Sequence, residues 1–305
     1  MTGASWPVRT GPDAVAEQGR VCALAVRGVR DLQDVTAAHP ELFDAAPFDP
    51  ALLSSVATAI AFTAPWHTAA ELRITTRTLL WVFAADWQVD YLARSADDVR
   101  QVVTDCLAVA DGAAPPPGRH LARLLADLRD ALAEVPAFAR YRPIWREELA
   151  RMLAAVSREW DWKNLPTDPS TGRRLPDLDR YLDNADNLAC SFVNVTHWIA
   201  TGDEKTLAQL TDLLDAGRGV QRVLRLVNDL ATHGRDDEWG DLNALQLVTA
   251  PEQVHARLTE LTSRSRGDLA ALAERCPRQA DYLHRQISFT GGFYQLSDFW
   301  GARDE

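Results

Sequence analysis

Residues 225–236 have the sequence RLVNDLATHGRD, and the apolar run that contains them begins at Gly219 and has the 3.6-residue period of an α-helix. Polar residues recur at every fourth position of this helix, so that Asn228, Thr232 and Asp236 project from one face over about 12 Å. Their side chains supply an amide oxygen, a hydroxyl and a carboxylate, which are hard donors that suit Mg²⁺. The segment therefore predicts a helix that carries part of a metal site. The competing interpretation is a solvated helix face followed by an acidic turn.

A second candidate motif lies at residues 81–90, WVFAADWQVD, where Asp86 and Asp90 end an otherwise apolar helix. The four-residue spacing places both carboxylates on one face, where like charges destabilise a helix. A cation bound beside the two carboxylates would offset this repulsion. In that interpretation Asp86 binds metal directly, and Asp90 supports it or bonds to an arginine. The alternative is a pair of solvated acids at a helix end.

The composition is typical of a globular protein, with 305 residues, 47% hydrophobic and 25% charged. A net charge of −11 makes nucleic acids and anionic membrane surfaces poor partners. An anionic small molecule is still allowed, because bound divalent cations can reverse the local field. Ten tryptophans are a high number, and aromatic rings make large rigid walls for an apolar or cationic ligand.

The sequence also predicts a cytoplasmic protein. Four cysteines, Cys22, Cys106, Cys190 and Cys276, lie far apart without metal or redox spacing, which fits a reducing compartment. Residues 1–20 lack the apolar core of a signal peptide, and no run approaches the roughly 18 apolar residues of a membrane span.

The periodicity predicts one all-α domain over residues 13–305, preceded by a flexible arm at residues 1–12. Loops that contain proline or glycine separate the predicted helices, including a long loop at 165–176, and no run alternates like a β-strand. The composition does not change along the chain, so no domain boundary is predicted. The predicted helices cover residues 14–39, 51–63, 69–93, 96–110, 119–132, 143–160, 177–201, 203–216, 219–232, 251–274 and 279–300.

The two motifs together resemble those of class I terpene synthases. Asp86 and Asn228 are 142 residues apart, in the order and at about the separation of that family's Asp-rich and Asn/Ser/Glu-type motifs. The resemblance is closest to small bacterial diterpene synthases of the ent-kaurene-synthase type. These carry an Arg nine residues before the first acid, matched by Arg77, and Arg-Leu-X-Asn-Asp, matched by residues 225–229. Residues 181–184, YLDN, resemble their mid-chain helix, and the similarity spans about residues 70–300.

The resemblance implies the single-domain isoprenoid-synthase helical bundle with a central active-site cavity. It also implies Mg²⁺ as cofactor, with three ions expected. The implied metal ligands are Asp86, Asn228, Thr232 and Asp236, and Asp90 is expected to support them without binding metal directly. The implied diphosphate ligands are Arg225 and Arg235, with Arg77 and Arg180 as further candidates. The implied walls of the substrate pocket are Trp81, Phe83, Trp87, Ala185, Ala189, Phe192, Trp198, Phe293, Tyr294 and Trp300. Ordinary core packing stays open for each of these aromatic residues. Small residues at 185–190 are expected to allow a local helix break.

The sequence departs from the family pattern at three places. Asp-Asp-X-X-Asp is reduced to residues 86–90, DWQVD, which lack the second acid. The arginine that many members carry after Tyr-Leu-X-X is Ala185 here, and Phe299 and Trp300 stand in the region of the C-terminal Arg-Tyr pair. Because of the last two departures, the arginines already named are expected to bind the diphosphate in place of the usual family residues.

The function implied by the resemblance is that of a class I diterpene cyclase, a carbon–oxygen lyase. It would ionise a C20 prenyl or copalyl-type diphosphate with Mg²⁺, guide cyclisation and rearrangement of the carbocation, and release diphosphate. Two alternatives stay open: a sesquiterpene synthase acting on farnesyl diphosphate, and a non-catalytic helical binding protein with a degenerate metal site. Chain-elongating prenyl synthases need two full Asp-Asp-X-X-Asp motifs, and class II cyclases need Asp-X-Asp-Asp, so neither is expected. A homodimer and an upstream class II cyclase are left open as partners.

Overall fold

The computed structural model describes residues 12–45, 47–164 and 175–301, which contain helices and turns but no β-strand. The α-helices of these residues are α1 (Pro12–Ala38), α2 (Pro40–Phe43), α3 (Pro50–Thr63), α4 (Ala69–Trp87), α5 (Ala96–Ala110), α6 (His120–Ala133), α7 (Phe138–Asn164), α8 (Leu178–Leu182), α9 (Cys190–Thr201), α10 (Glu204–Ala208), α11 (Leu210–Trp239), α12 (Pro251–Ala273) and α13 (Pro277–Phe293). A π turn at Gln88–Leu92 extends α4, and 3₁₀ turns lie at Ala185–Leu188 and Ala244–Leu247. None of the described helices has the length and apolar character needed to cross a membrane.

The long helices surround one connected hydrophobic core, which confirms the single all-α domain. In this core α4 packs against α1, α3, α6 and α9, while α11 packs against α9, α12 and α13. Trp81 on α4, Trp145 on α7 and Trp198 on α9 are fully buried in this core. Of the predicted N-terminal arm, residues 1–11 lie outside the described residues, and Pro12 begins α1. Residues 165–174 of the predicted long loop also lie outside the described residues.

The helix that carries the Asn228 motif is longer than predicted. The prediction of separate helices at 203–216 and 219–232 was wrong, because α11 runs without a break through Gly217 and Gly219. Buried Leu213, Gly217 and Val220 continue the apolar stripe across this stretch, and packing against α9 and α13 outweighs the low helix propensity of glycine. The helix ends at Gly240, whose φ of +74° provides the left-handed C-cap.

The predicted helix at 177–201 is divided, as the small residues in it indicated. α8 ends at Leu182, a 3₁₀ turn follows, and Ala189 has a left-handed backbone with φ 59° before α9 begins. The Asn184 side chain fastens the first part of this break, since its Nδ2 donates to the Ala155 carbonyl (2.9 Å) and its Oδ1 accepts from Arg158 (2.7 Å). The bend is therefore held by α7 and lies beside α11.

Two other helix boundaries differ from the prediction. α7 begins five residues before Pro143, which costs one backbone hydrogen bond, because Phe138 packs edge-on against Trp145 (5.5 Å between ring centres). The last helix ends at Phe293 rather than at Trp300. Beyond it the chain turns back, and the Trp300 ring lies 5.1 Å from that of Phe83 on α4. This return places C-terminal aromatic residues over the end of α4.

Candidate active site

A cavity with a volume of about 230 Å³ lies between α3, α4, α7, α9, α11 and α13. Its lining falls into two sets. Charged side chains come from the C-terminal parts of α4, α7 and α11, from the π turn and from the turn after α11, whereas apolar side chains come mainly from α3, α4, α9, α13 and the chain beyond α13. The apolar set includes Ala59, Ile60, Val82, Val193 and Phe289. Such a cavity suits a ligand with an ionic head and a hydrocarbon body.

Asp86 and Asp90 reach the cavity from the end of α4, where the helix widens into the π turn. Lys163, near the end of α7, donates from Nζ to Asp90 Oδ1 (3.0 Å) and to Asp241 Oδ1 (2.5 Å). The Tyr91 hydroxyl donates to the other oxygen of Asp241 (2.7 Å). One lysine therefore joins the acidic motif to the turn that follows α11.

Burial raises the pKa of Asp86 well above its usual value, and repulsion from Asp90 and Asp241 adds to this rise. Although burial lowers the pKa of Lys163, Asp90 and Asp241 raise it above the usual value, so the ammonium group stays charged. Because that ammonium is shared by the other two acids, it offsets little of the repulsion at Asp86. A divalent cation beside Asp86 would favour the ionised carboxylate.

Thr232 joins the two ends of the motif on α11. Its hydroxyl lies within hydrogen-bonding distance of the Asn228 carbonyl (2.9 Å) and of Asp236 Oδ2 (2.7 Å). Asn243 Nδ2 also donates to Asp236 Oδ2 (2.8 Å), and Asn228 Nδ2 donates to the Tyr294 hydroxyl (2.7 Å). Asn228 and Asp236 line the cavity, while Thr232 is buried behind them. The motif is therefore held in place before any ligand arrives.

Arg235 lies between two carboxylates. Its Nη2 donates to Asp236 Oδ1 (3.0 Å), its Nη1 pairs with Asp298, and its guanidinium lies 5.4 Å from the centre of the Trp239 ring. Asp298 in turn accepts from the Trp300 backbone N–H (3.1 Å). Arg235 thus ties the motif on α11 to the returning C-terminal turn.

Arg225 also lines the cavity, but its Nε and Nη2 are engaged by the protein. Its Nε donates to the Tyr181 hydroxyl (2.7 Å) and lies 3.3 Å from Asp229, while its Nη2 donates to Glu159 (2.9 Å) and to the Leu242 carbonyl (3.2 Å). Arg225 and these four partners come from segments that meet beside the helix break. These bonds fit a role in holding α7, α8 and α11 together.

The pH dependence of stability offers a test of this buried network. Asp229 is buried, and burial raises its pKa to about 7. Because the folded pKa exceeds the unfolded one, the folded state binds an extra proton between about pH 4 and pH 7, and stability is lost as pH rises through this window. Asparagine at position 229 does not titrate, so the Asp229→Asn variant lacks this loss of stability. The unfolding free energy of the variant minus that of wild type should therefore rise by up to about 4 kcal/mol from pH 4 to pH 7.

Denaturant unfolding at several pH values without Mg²⁺ measures this difference. Asp34→Asn, at an exposed position of α1, is the matched control and should give a difference that does not vary with pH. Parallel stability profiles for Asp229→Asn and wild type would contradict the raised pKa.

The structure brings most of the predicted ionic residues to one cavity. The predicted residues that line it are Phe83, Asp86, Asp90, Arg225, Asn228, Arg235, Asp236, Tyr294 and Trp300. The predicted residues outside the lining are Arg77, Trp81, Trp87, Arg180, Ala185, Ala189, Phe192, Trp198, Thr232 and Phe293. Two motifs that are far apart in sequence therefore face the same space.

Arg77 and Arg180, which were expected beside a diphosphate, do not line the cavity. Arg77 precedes Asp86 by nine residues, or two and a half helical turns, so it points from the opposite face of α4. There its guanidinium donates twice to Asp31 on α1 (both 2.7 Å). Arg180 is exposed, and its guanidinium lies 5.5 Å from the centre of the Trp162 ring.

Three aromatic residues expected in the pocket wall belong to the core instead. Trp81 is fully buried, its indole N–H donates to the Leu121 carbonyl (3.0 Å), and its ring packs against Phe192 (5.7 Å). Trp198 packs against Tyr282 (6.1 Å). Ala185 and Ala189 are buried in the helix break beside this core. These side chains are therefore packed against other parts of the protein and are not exposed to the cavity.

Trp87 and Phe293 stand one layer behind the cavity wall. The Trp87 ring lies 6.0 Å from that of Trp300, and the Phe293 ring lies 4.7 Å from that of Phe299. Both Trp300 and Phe299 line the cavity. The two predicted residues thus support its aromatic wall without forming it.

Sequence reasoning missed several charged residues near the cavity, including Lys163, Glu159 and Asp241. Lys163 is one of two lysines in the chain, against thirty arginines, and this rarity was a usable signal. Asp241 follows the glycine that ends α11, but nothing local distinguishes it from an ordinary acidic turn. Its importance comes from a contact across 78 residues of sequence.

The donor set fits divalent cations. Among the described residues no three His, Cys, Asp or Glu side chains form a ready-made metal cluster. Nevertheless, five acids line the cavity against two arginines: Asp86, Asp90, Glu159, Asp236 and Asp241. Hard oxygen donors with an excess of buried negative charge are what Mg²⁺ requires. Asp86 on one side, and Asn228 with Asp236 on the other, are the residues in position to hold it.

Comparison with known proteins agrees with this geometry. The chain is 26% identical over 283 residues to ent-pimara-9(11),15-diene synthase of Streptomyces sp. (strain KO-3988), which covers 92% of this chain and 93% of the relative. Linalool/nerolidol synthase from Streptomyces clavuligerus, solved in complex with 2-fluorogeranyl diphosphate, has a TM-score of 0.67 at 19% identity, covering 94% of this chain and 100% of that one.

A third similar structure is 2-methylisoborneol synthase from Streptomyces coelicolor A3(2), in complex with Mg²⁺ and geranyl-S-thiolodiphosphate. It has a TM-score of 0.64 at 14% identity and covers 90% of each chain. These two structures establish the likeness of the fold. The family model described as terpene synthase family 2, C-terminal metal binding, matches residues 77–256, which is more than half of the chain. The chain, with both of its motifs inside that match, therefore belongs to terpene synthase family 2.

Proposed function

We propose that this terpene synthase is a class I diterpene cyclase that ionises a C20 diphosphate and cyclises the resulting allylic carbocation. One observation carries the proposal: the acidic end of α4 and the Asn228–Asp236 motif line the same cavity, whose remaining walls are largely apolar. The ionic end suits a diphosphate with its cations, and the apolar walls suit a hydrocarbon chain.

The ionic end is assigned to Asp86, Asn228, Asp236 and Arg235. The first three supply oxygen donors to Mg²⁺, and we propose three ions, as the family resemblance implies. Bound Mg²⁺ neutralises the leaving diphosphate and so favours its departure. Arg235 would turn from its carboxylate partners toward the diphosphate, whereas Arg225 stays in the buried network and holds the helix break in place.

The apolar end is assigned to guiding and shielding the carbocation. Phe83, Phe289, Phe299 and Trp300 line the cavity, and their ring faces can stabilise a passing positive charge by about 0.5–2 kcal/mol each. The returning C-terminal turn brings two of these rings, Phe299 and Trp300, over α4 and so limits the entry of water into the cavity. Exclusion of water protects the carbocation until the last step.

The C20 substrate is supported by the similarity to ent-pimara-9(11),15-diene synthase along most of both chains. A copalyl-type substrate would require a class II cyclase that acts before this enzyme. A C15 substrate is the second candidate, because the cavity volume of about 230 Å³ lies below the roughly 300–1,000 Å³ usual for ligand sites.

Product analysis tests the proposal. The purified protein is incubated with Mg²⁺ and, separately, with geranyl, farnesyl, geranylgeranyl and copalyl diphosphates, and the products are analysed by gas chromatography and mass spectrometry. A cyclic C20 product that disappears with EDTA is the expected result. A C15 product alone would replace the diterpene assignment by the sesquiterpene one. No product and no Mg²⁺-dependent diphosphate binding would leave only a binding protein with a degenerate site.

A further inference from the structure

The apolar part of the cavity contains a polar group that the proposed ionisation does not use. Gln286 on α13 lines the cavity, and its Nε2 donates to Asn194 Oδ1 (2.7 Å). The Tyr282 hydroxyl donates to the same oxygen (3.0 Å). Asn194 and Tyr282 are buried, so Gln286 is the member that reaches the cavity. We name Asn194, Tyr282 and Gln286 the amide cluster.

The amide cluster lies far from the ionic end. Gln286 precedes Tyr294, the partner of Asn228, by eight residues, or about 12 Å along the axis of α13. On α9, Asn194 follows Cys190 by one turn, and Cys190 also lines the cavity. A substrate with its diphosphate beside Asn228 therefore places its hydrocarbon body, and not its charged head, against the amide cluster.

The hydrogen bonds within the amide cluster leave donor and acceptor groups of Gln286 unused on the side that faces the cavity. Asn194 Oδ1 accepts two good bonds, but the return bond from Asn194 Nδ2 to Gln286 Oε1 is long, at 3.4 Å. A carboxamide has two N–H donors and an oxygen with two lone pairs. Gln286 therefore retains an N–H and most of its oxygen for a small polar partner. A polar group among apolar walls is costly unless such a partner is bound.

We propose that the amide cluster holds one water molecule against the hydrocarbon body of the substrate, and that this water ends the reaction, so that the product is a terpene alcohol. The inference rests on the proposed function, since it requires a carbocation in the cavity. The water oxygen donates a lone pair to the cationic carbon and forms a C–O bond. The resulting oxonium loses a proton through water to the released diphosphate, and a neutral alcohol remains.

The chemistry of the amide cluster favours holding water over removing a proton from the carbocation. A carboxamide is a very weak base, but it orients water well through one donor and one acceptor. Burial raises the pKa of Tyr282, which keeps the phenol neutral and able to donate to Asn194. His197, which stacks on Tyr282 at 4.6 Å between ring centres, has its pKa lowered to about 3 by burial and does not line the cavity.

Product analysis in H₂¹⁸O tests the inference. Wild type should give a terpene alcohol that carries ¹⁸O. Gln286→Leu should lower the ratio of alcohol to hydrocarbon about 2- to 10-fold, the effect of one lost hydrogen bond, while hydrocarbon continues to form. Gln286→Met, which keeps the side-chain length, should do the same. Gln279→Leu is the matched control on α13, because Gln279 bonds to Thr206 (2.8 Å) away from the cavity, and it should leave the ratio unchanged.

The outcomes separate the inference from the proposed function. If wild type forms no product from any substrate, the proposed function fails. If wild type forms only hydrocarbons, or an alcohol without ¹⁸O, the enzyme is a cyclase but the water site is wrong. If total product falls in both Gln286 variants at an unchanged ratio, Gln286 has only a structural role and the inference is overturned.

Discussion

Asp86→Asn is expected to lower turnover about 100- to 1000-fold, the range for loss of one preorganised electrostatic contact, while the protein without Mg²⁺ becomes more stable. The two effects have one cause. Burial, together with repulsion from Asp90 and Asp241, raises the pKa of Asp86, so the ionised carboxylate is unfavourable until a cation arrives. The amide is neutral and nearly isosteric, and it removes that repulsion along with a hard anionic donor for Mg²⁺. Product formation and thermal unfolding with and without Mg²⁺ measure both effects.

The sign of the pH dependence makes this prediction sharper. Because the folded pKa of Asp86 is raised, its contribution to stability is present at acidic pH and is lost as pH rises toward the folded pKa. The gain in stability from Asp86→Asn should therefore grow with pH, and stabilisation by Mg²⁺ should be smaller than in wild type. Asp34→Asn on the exposed face of α1 should change neither property. Full turnover in Asp86→Asn would remove Asp86 from the proposed metal site.

The sequence was informative where one helix carries the whole pattern. Asn228 and Asp236 are two turns apart on α11, so periodicity alone put them on one face, and both line the cavity. The same helical geometry explains why Arg77 does not line the cavity. Arg77 is two and a half turns from Asp86, and that spacing by itself places the two side chains on opposite faces of α4. The bond from Arg77 to Asp31 is the result.

The contacts that complete the site were beyond sequence reasoning because they join distant segments. Lys163 reaches Asp90 and Asp241 across 73 and 78 residues. Each of these residues, taken alone, is typical of a solvated helix end or an acidic turn. Their meeting depends on how α7 packs beside the π turn and how Lys163 reaches the turn after α11, which no local pattern encodes.

The positions of the aromatic residues also could not be predicted from the sequence alone. The family resemblance implied both Trp81 and Trp300 as walls of the pocket, yet Trp81 is in the core and Trp300 lines the cavity. The difference arises because the last helix ends at Phe293, after Gly291 and Gly292, and lets the chain turn back. Glycine weakens a helix, but periodicity could not tell whether these two would end it. The predicted end at residue 300 was therefore seven residues too late, and this difference changes which residues form the cavity wall.

Asn228→Ala is expected to lower turnover about 1000-fold with little change in stability, and it tests the other side of the site. Asn228 Nδ2 donates to the Tyr294 hydroxyl (2.7 Å), which fixes the orientation of the amide and leaves its oxygen for Mg²⁺. Alanine removes the donor oxygen. Tyr294→Phe removes only the group that orients it, so a smaller loss of about 10- to 100-fold is expected, as for partners of metal ligands.

Rates of product formation for the two variants, together with Mg²⁺ titrations that follow thermal unfolding, separate these roles. Asn164→Ala on α7, whose amide donates to the Trp160 carbonyl (3.0 Å) and does not line the cavity, is the control and should behave as wild type. If Asn228 binds metal, its alanine variant should need far more Mg²⁺ for the same stabilisation, and Tyr294→Phe should need only moderately more. Equal losses of turnover without any change in Mg²⁺ dependence would instead mean that both residues only hold the C-terminal turn against α11. The metal would then have to be held by Asp86 and Asp236 without the amide between them.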